Sequence, residues 1–187
     1  MANKKAFDYS KTYVESIVSV VTEDFSALHM LQALSEQADF VFSHSVGVCL
    51  YSLMVARSIQ WSHPVNLFKL GLGALLHDIG KKEIDRSILL KPRADMTSEE
   101  VRVLDSHVFR GRDLLVGVPA MPSDVILIVA QHHEDCSGNG YPLGLKKDKI
   151  HPMARLISVT NEFCNLALKS PSNPNGLPAK DAIDRLF

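Results

Sequence analysis

Two pairs of adjacent polar residues stand where apolar runs end: His77-Asp78 after residues 67–76, and His132-His133 after residues 123–130. Neither imidazole nor carboxylate improves apolar contact, so both placements ask for a chemical reason. An isolated His77 could cap a helix C-terminus and Asp78 open a turn, because cations suit the negative end of a helix dipole and Asp suits turns. The chain offers more than one pair, however. His107 lies in the stretch between them and His44 lies before both, so five histidines and one aspartate come from four different predicted helices. Neutral imidazole is the commonest transition-metal ligand and a carboxylate can bridge two cations, so this mixture suits a multinuclear site for iron, manganese or zinc. Ring nitrogens and carboxylate oxygens would lie about 2.0–2.2 Å from a metal such as zinc. His63 precedes Pro64 and His151 precedes Pro152, and both read as surface or hinge residues. His29 reads as a surface residue of an N-terminal helix.

For such side chains to meet, the elements that carry them must converge. Apolar residues at helical spacing predict two short helices between residues 10 and 38, a cap or linker over residues 1–38. Residues 39–187 are expected to form the main domain, opening with an amphipathic helix over 39–60 that carries Phe40, His44, Val48, Tyr51 and Val55. Residues 67–79 predict a buried helix; the scarcity of β-branched residues argues against a strand there. Thr97-Ser98-Glu99-Glu100 is a capping box that starts a helix running through His107 to about residue 116. A further helix spans 123–134, and the turn-rich Gly138-Asn139-Gly140-Tyr141-Pro142 follows it. The last predicted helix covers 150–168, and 170–178 is irregular. With no alternating strand series or internal repeat, the expected class is all-α, a helical bundle with the metal centre in its core.

Composition narrows the rest. The 187 residues are 46% apolar and 22% charged, enough for one well-filled core. Twenty basic against 21 acidic residues leave a formal charge of −1, so no broad positive field exists to hold long nucleic acid or an anionic membrane. Cys49, Cys136 and Cys164 are scattered with no CxxC pair, which suggests neither a disulfide framework nor a thiolate zinc site. The N-terminus shows no apolar signal core and no run is expected to reach the ~18 apolar residues that span a bilayer. The expectation is a soluble, cytoplasmic domain.

In order, His44, Leu75-Leu76-His77-Asp78-Ile79-Gly80-Lys81, Asp85, Ile88-Leu89, Lys91-Pro92, Thr97-Ser98-Glu99-Glu100, His107, Gly111, His132-His133-Glu134 and Gly138-Asn139-Gly140-Tyr141-Pro142 form a series. It resembles the HD-GYP family, a branch of the HD-domain metal-dependent phosphohydrolases that breaks down cyclic di-GMP in bacteria. Residue by residue, the resemblance implies that His44, His77 and Asp78 bind one metal ion. Asp78 would bridge to a second ion held by His107, His132 and His133, with Lys81 near the substrate phosphate. Two divalent ions are implied, iron or manganese, with zinc as the alternative. The implied chemistry is attack on a phosphodiester by a metal-activated hydroxide. The Gly-Tyr-Pro loop would border the pocket and could meet a signalling-protein partner; its glycines could equally make only a tight turn, and Tyr141 receives no catalytic role.

Three positions depart from the family pattern. Asn161, in Thr160-Asn161-Glu162-Phe163, stands where the family carries an aspartate metal ligand, and an amide oxygen can coordinate but brings no negative charge. Phe40 stands where members with three metals carry glutamate. Lys169-Ser170-Pro171-Ser172-Asn173-Pro174 replaces a basic substrate-binding segment. Two readings stay open: a phosphodiesterase for cyclic di-GMP or a related cyclic dinucleotide, or a weak or inactive signalling module that binds metal and a nucleotide or protein partner. In either case purified protein should carry iron or manganese, and His77→Ala or Asp78→Ala should remove most of it. Elemental analysis showing unchanged metal in both variants would exclude the assigned ligands.

Overall fold

Proline marks two helix starts. Pro64 and Pro152 each sit in a first turn, where a missing N–H costs no hydrogen bond, and His63 and His151 precede them in extended conformation. The computed structural model describes Thr12, residues 40–170 and residues 173–186. The main helices are α1 (Phe40–Ser58), α2 (Pro64–Leu76), α3 (Arg86–Leu89), α4 (Ser98–Asp105), α5 (His107–Val116), α6 (Ser123–Gln131), α7 (Pro152–Ala167) and α8 (Ala179–Leu186). Short 3-10 helices occupy Ile79–Glu83, Arg93–Asp95 and Lys147–Lys149. Beyond helices, the described residues hold only isolated bridges, Ser137 with Lys146 and Ser170 with Asn173, so the class is all-α. The helices expected between 10 and 38, with His29, lie outside the described residues except for Thr12, which is helical.

Helix α1 packs on α2 and α7, α2 on α6, and α6 on both α5 and α7. Leu53 and Ala56 of α1 meet Leu70 and Ala74 of α2, Ile128 of α6 and Ile157 of α7 in the main core. Gly73 lets α6 come close: a Cβ there would fall 2.6 Å from Ile128 Cδ1. Between α1 and α7 the hydroxyls of Ser52 and Thr160 share a buried 2.7 Å hydrogen bond. The result is that the ends of α2 and α6 and the start of α5 gather beside the second turn of α1 and the middle of α7.

Four local expectations need correction. The helix expected from Thr97 to residue 116 is broken at Ser106, because side chains take its carbonyls: Ser106 Oγ donates to Val103 O and His107 Nδ1 to Leu104 O. The run over α1 does reach membrane-spanning length and apolarity, but 56% of it is buried inside the protein and it carries buried Ser43, Ser45 and Ser52 as a core helix. His151 is no surface residue: half-buried, it pairs through Nε2 with Asp124 Oδ1 at 3.1 Å, and its backbone N–H donates to Gln131 Oε1 at 2.7 Å. His63 is exposed. Finally, α8 was not anticipated; it buries Ala182 and packs on α7.

The capping box forms as its sequence predicts. Thr97 Oγ1 accepts from Glu100 N at 3.2 Å, and the Glu100 carboxylate accepts from Thr97 N at 2.7 Å while also binding Lys91 at 2.8 Å. Thr97→Ala should therefore lower stability by about 1 kcal/mol. The check is a lower urea midpoint with an unchanged slope.

Candidate metal centre

His77 is the C-cap of α2, and Asp78 is the N-cap of the 3-10 helix that follows. What brings Asp78 to α5 is Gly80. A Cβ at Gly80 would collide with the His107 carbonyl and the Gly111 amide, so only glycine lets the two backbones touch. Across that contact Asp78 Oδ1 comes within 3.2 Å of His107 Nε2. His132 caps the C-terminus of α6 and reaches the same oxygen at 3.8 Å, while His77 Nε2 lies 3.3 Å from Asp78 Oδ2.

The histidines are anchored by the helices that carry them. His77 Nδ1 donates to Ala74 O at 2.7 Å, His107 Nδ1 to Leu104 O at 2.7 Å and His132 Nδ1 to Val129 O at 2.9 Å. Each is the same contact, a ring folded back onto the carbonyl three residues earlier. A carbonyl only accepts, so Nδ1 carries the proton and, in the neutral ring, Nε2 presents a bare lone pair to the cluster.

Those lone pairs meet each other. His107 Nε2 and His132 Nε2 are 3.3 Å apart, and His77 Nε2 and Asp78 Oδ1 are buried without a hydrogen bond. Several buried acceptors thus converge with no donor among the rings, an arrangement that a cation relieves. The candidate ligand atoms fall into two sets, each within 4.8 Å: His44, His77 and Asp78, and Asp78, His107, His132 and His133. Asp78 belongs to both. The donor chemistry therefore fits a pair of transition-metal ions with a shared carboxylate.

Asn161, buried on α7, points its Oδ1 at His44 Nε2 at 2.7 Å, so both face the first set. Lys81 Nζ lies 2.6 Å from Asp78 Oδ2 and lines a cavity of about 430 Å³ above the cluster. Phe40, Lys91, Arg93 and Lys169 also border that cavity. Two residues assigned no site role from the sequence shape it, Tyr141 in the loop expected to border the pocket and Glu134. Tyr141 forms part of its wall and stacks on His133, with ring centroids 4.6 Å apart at 16°. Glu134 is buried and accepts from Leu143 N and Leu145 N, each at 2.7 Å, which ties down the loop that carries Tyr141. A carboxylate following two candidate ligand histidines was the signal available for Glu134.

Burial pulls the His44 pKa down to about 4, and the proximity of His77 adds to the effect. His132 and His133 are likewise held well below the ordinary imidazole value, first by burial and then by neighbouring histidines. Burial alone would raise Asp78, but the neighbouring His77, the Lys81 ammonium and the His107 ring outweigh it and hold its carboxyl well below the usual carboxylate range. The three imidazoles resist protonation in the folded protein, whereas in the unfolded chain they take protons below about 6.5. Their contribution to stability is fully present above that value and is lost as pH falls toward 4. Metal-free protein should show a urea midpoint that drops steadily from pH 7 to pH 5, and His44→Gln should flatten the drop; an identical slope in the variant would contradict this origin.

Residues 27–186 match the HD-domain family. A cyclic di-GMP phosphodiesterase of Pseudomonas aeruginosa is 30% identical over 95% of this chain and 42% of its own length. A cyclic di-GMP phosphodiesterase of Thermotoga maritima is 32% identical over 93% of the chain and 48% of its own. A 3'3'-cGAMP-specific phosphodiesterase of Vibrio cholerae is 30% identical over 72% of the chain and 29% of its own. The chain thus spans less than half the length of these curated relatives. Among solved structures, an HDG"Y"P protein from Bdellovibrio bacteriovorus superposes with a TM-score of 0.80 at 25% identity, over 97% of this chain and 57% of that one. The HD-domain match runs through His77-Asp78, and the relatives' names and the HD-GYP-type solved neighbour narrow it: the chain belongs to the HD-domain family and, within it, to the HD-GYP branch.

Proposed function

We propose that this domain is a metal-dependent phosphodiesterase that opens cyclic di-GMP or a related cyclic dinucleotide. The observation that carries this reading is the position of Asp78, common to both candidate ligand sets and beside Lys81 at the floor of the cavity. The names of the curated relatives support the substrate class. His44, His77, Asp78 and Asn161 would hold one divalent ion, and Asp78, His107, His132 and His133 the other. Two such ions, iron or manganese, supply Lewis acidity and lower the pKa of bound water.

The protein's own groups do the rest. Lys81 brings three N–H donors to the cavity and can turn from Asp78 toward a phosphate oxygen, where a compact cation offsets charge developing at phosphorus. A volume of about 430 Å³ suits a small-molecule ligand. Lys91 and Arg93 are already paired with Glu100 and Asp105, so they offer an anionic ligand less than full charges. Lys169 borders the cavity where the family's basic segment is missing.

The second reading, a module that binds metal and nucleotide or protein without turnover, draws on Asn161. Its neutral amide sits on His44 in place of a carboxylate, which lowers the negative charge of the first set. Leu143, 63% exposed on the Gly-Tyr-Pro loop, gives a signalling partner an apolar foothold. The two readings separate in one experiment. The protein is incubated anaerobically with ferrous or manganous ion and cyclic di-GMP, and the products are resolved by chromatography. Linear dinucleotide or mononucleotide is expected, whereas retained ligand without product selects the binding module. Asn161→Asp should raise metal occupancy and rate together; a fall in both would show that the amide is adapted to its place.

A further inference from the structure

Three buried imidazoles of the cluster are held alike, and His133 is not. His77, His107 and His132 each give Nδ1–H to the carbonyl three residues earlier. The His133 ring has no such anchor among the described residues. Instead it lies face to face with Tyr141 at 4.6 Å and 16°, and edge-on to His107 at 5.1 Å and 87°.

Tyr141 is itself fixed from several directions. Its backbone N–H donates to His133 O at 3.0 Å, so the loop returns onto the residue its ring covers. Two and four residues further on, Glu134 takes the N–H groups of Leu143 and Leu145. Tyr141 also faces the Asp105 carboxylate, which Arg93 grips through both oxygens at 2.7 and 2.9 Å. A ring held at its backbone and bordered at its far end by an ion pair is a firm platform.

We propose that Tyr141 is a positioning residue for His133, its aromatic face setting the plane of this imidazole as backbone carbonyls set the other three, and so setting the affinity of the second candidate metal site. The inference rests on reading the cluster as a metal centre. Face contact fixes the ring's torsion much as a hydrogen bond from Nδ1 would. It does not, however, raise the basicity of the opposite nitrogen as a hydrogen bond does. His133 is therefore the ligand most dependent on its neighbour.

The test uses the metal-free full chain titrated with manganous ion alone, followed by calorimetry and by the electron paramagnetic resonance of free ion. Wild-type protein should show two binding phases that Asp78→Ala abolishes. Tyr141→Ala should weaken one phase about 10–100-fold, the usual cost of losing a group that orients a ligand, and leave the other unchanged. Tyr141→Phe keeps the ring and should restore both phases, while Tyr141→Leu keeps bulk without a flat face and should not. Urea midpoints of the metal-free variants report folding, and if Tyr141→Ala does not fold, the Phe and Leu pair carries the test. Wild-type affinities in the Ala or Leu variant would overturn the proposal. So would a Phe variant as weak as these, which would place the effect in the hydroxyl. Wild-type protein that takes up no manganese would overturn the metal-centre reading and the proposal with it. Two phases without hydrolysis of cyclic di-GMP would overturn only the phosphodiesterase reading.

Discussion

At the centre of this domain, nitrogen and carboxylate lone pairs face one another among buried side chains. Asp78 Oδ1 stands 3.2 Å from His107 Nε2, which stands 3.3 Å from His132 Nε2, and the protons of these rings are committed to helix carbonyls on the other side. Such a cluster is electrostatically incomplete without positive charge. Lys81 answers part of the need at Asp78 Oδ2, and the remaining atoms are close enough together to hold cations.

Much of the fold can be understood as the means of keeping that cluster in place. Helix ends supply candidate ligands: α2 and α6 end in them and α5 begins with one, and at an end the ring can fold back to a carbonyl of its own helix. Helices α1 and α7 add residues from their middles, His44 and Asn161, which meet only because the two helices share a core and a buried hydroxyl pair. The 3-10 helix after Asp78 closes the arrangement, with Gly80 allowing one backbone to rest on another. Core contact and site geometry are thus one problem, since a shift of α6 against Gly73 would move His132 and His133 together.

The cavity above the cluster has a different character. Its charged groups are largely paired, Lys91 with Glu100 and Arg93 with Asp105, and its aromatic members Phe40 and Tyr141 supply flat apolar surface. An anionic ligand placed there would meet charge from the cluster itself and from Lys81 more than from the walls. This agrees with a chain whose overall charge is nearly zero and with Lys169 standing where a longer basic segment would otherwise be.

The residue types that could form the site, their order, and most of the helices were legible in the amino-acid sequence, because apolar periodicity reports a buried face and a histidine at the end of an apolar run reports a cost that some function offsets. The capping box at Thr97 was legible for the same local reason. The break at Ser106 was not, since two side chains compete there for carbonyls that the periodic pattern assigns to the helix. The short helix α8 escaped because eight residues leave little pattern to read. Only the tertiary structure decided how closely Asp78 approaches His77, His107 and His132, that Glu134 holds a loop, and that Tyr141 lies on His133. These contacts join residues across turns and between helices, and their distances depend on how closely backbones approach, which the order of residues does not state.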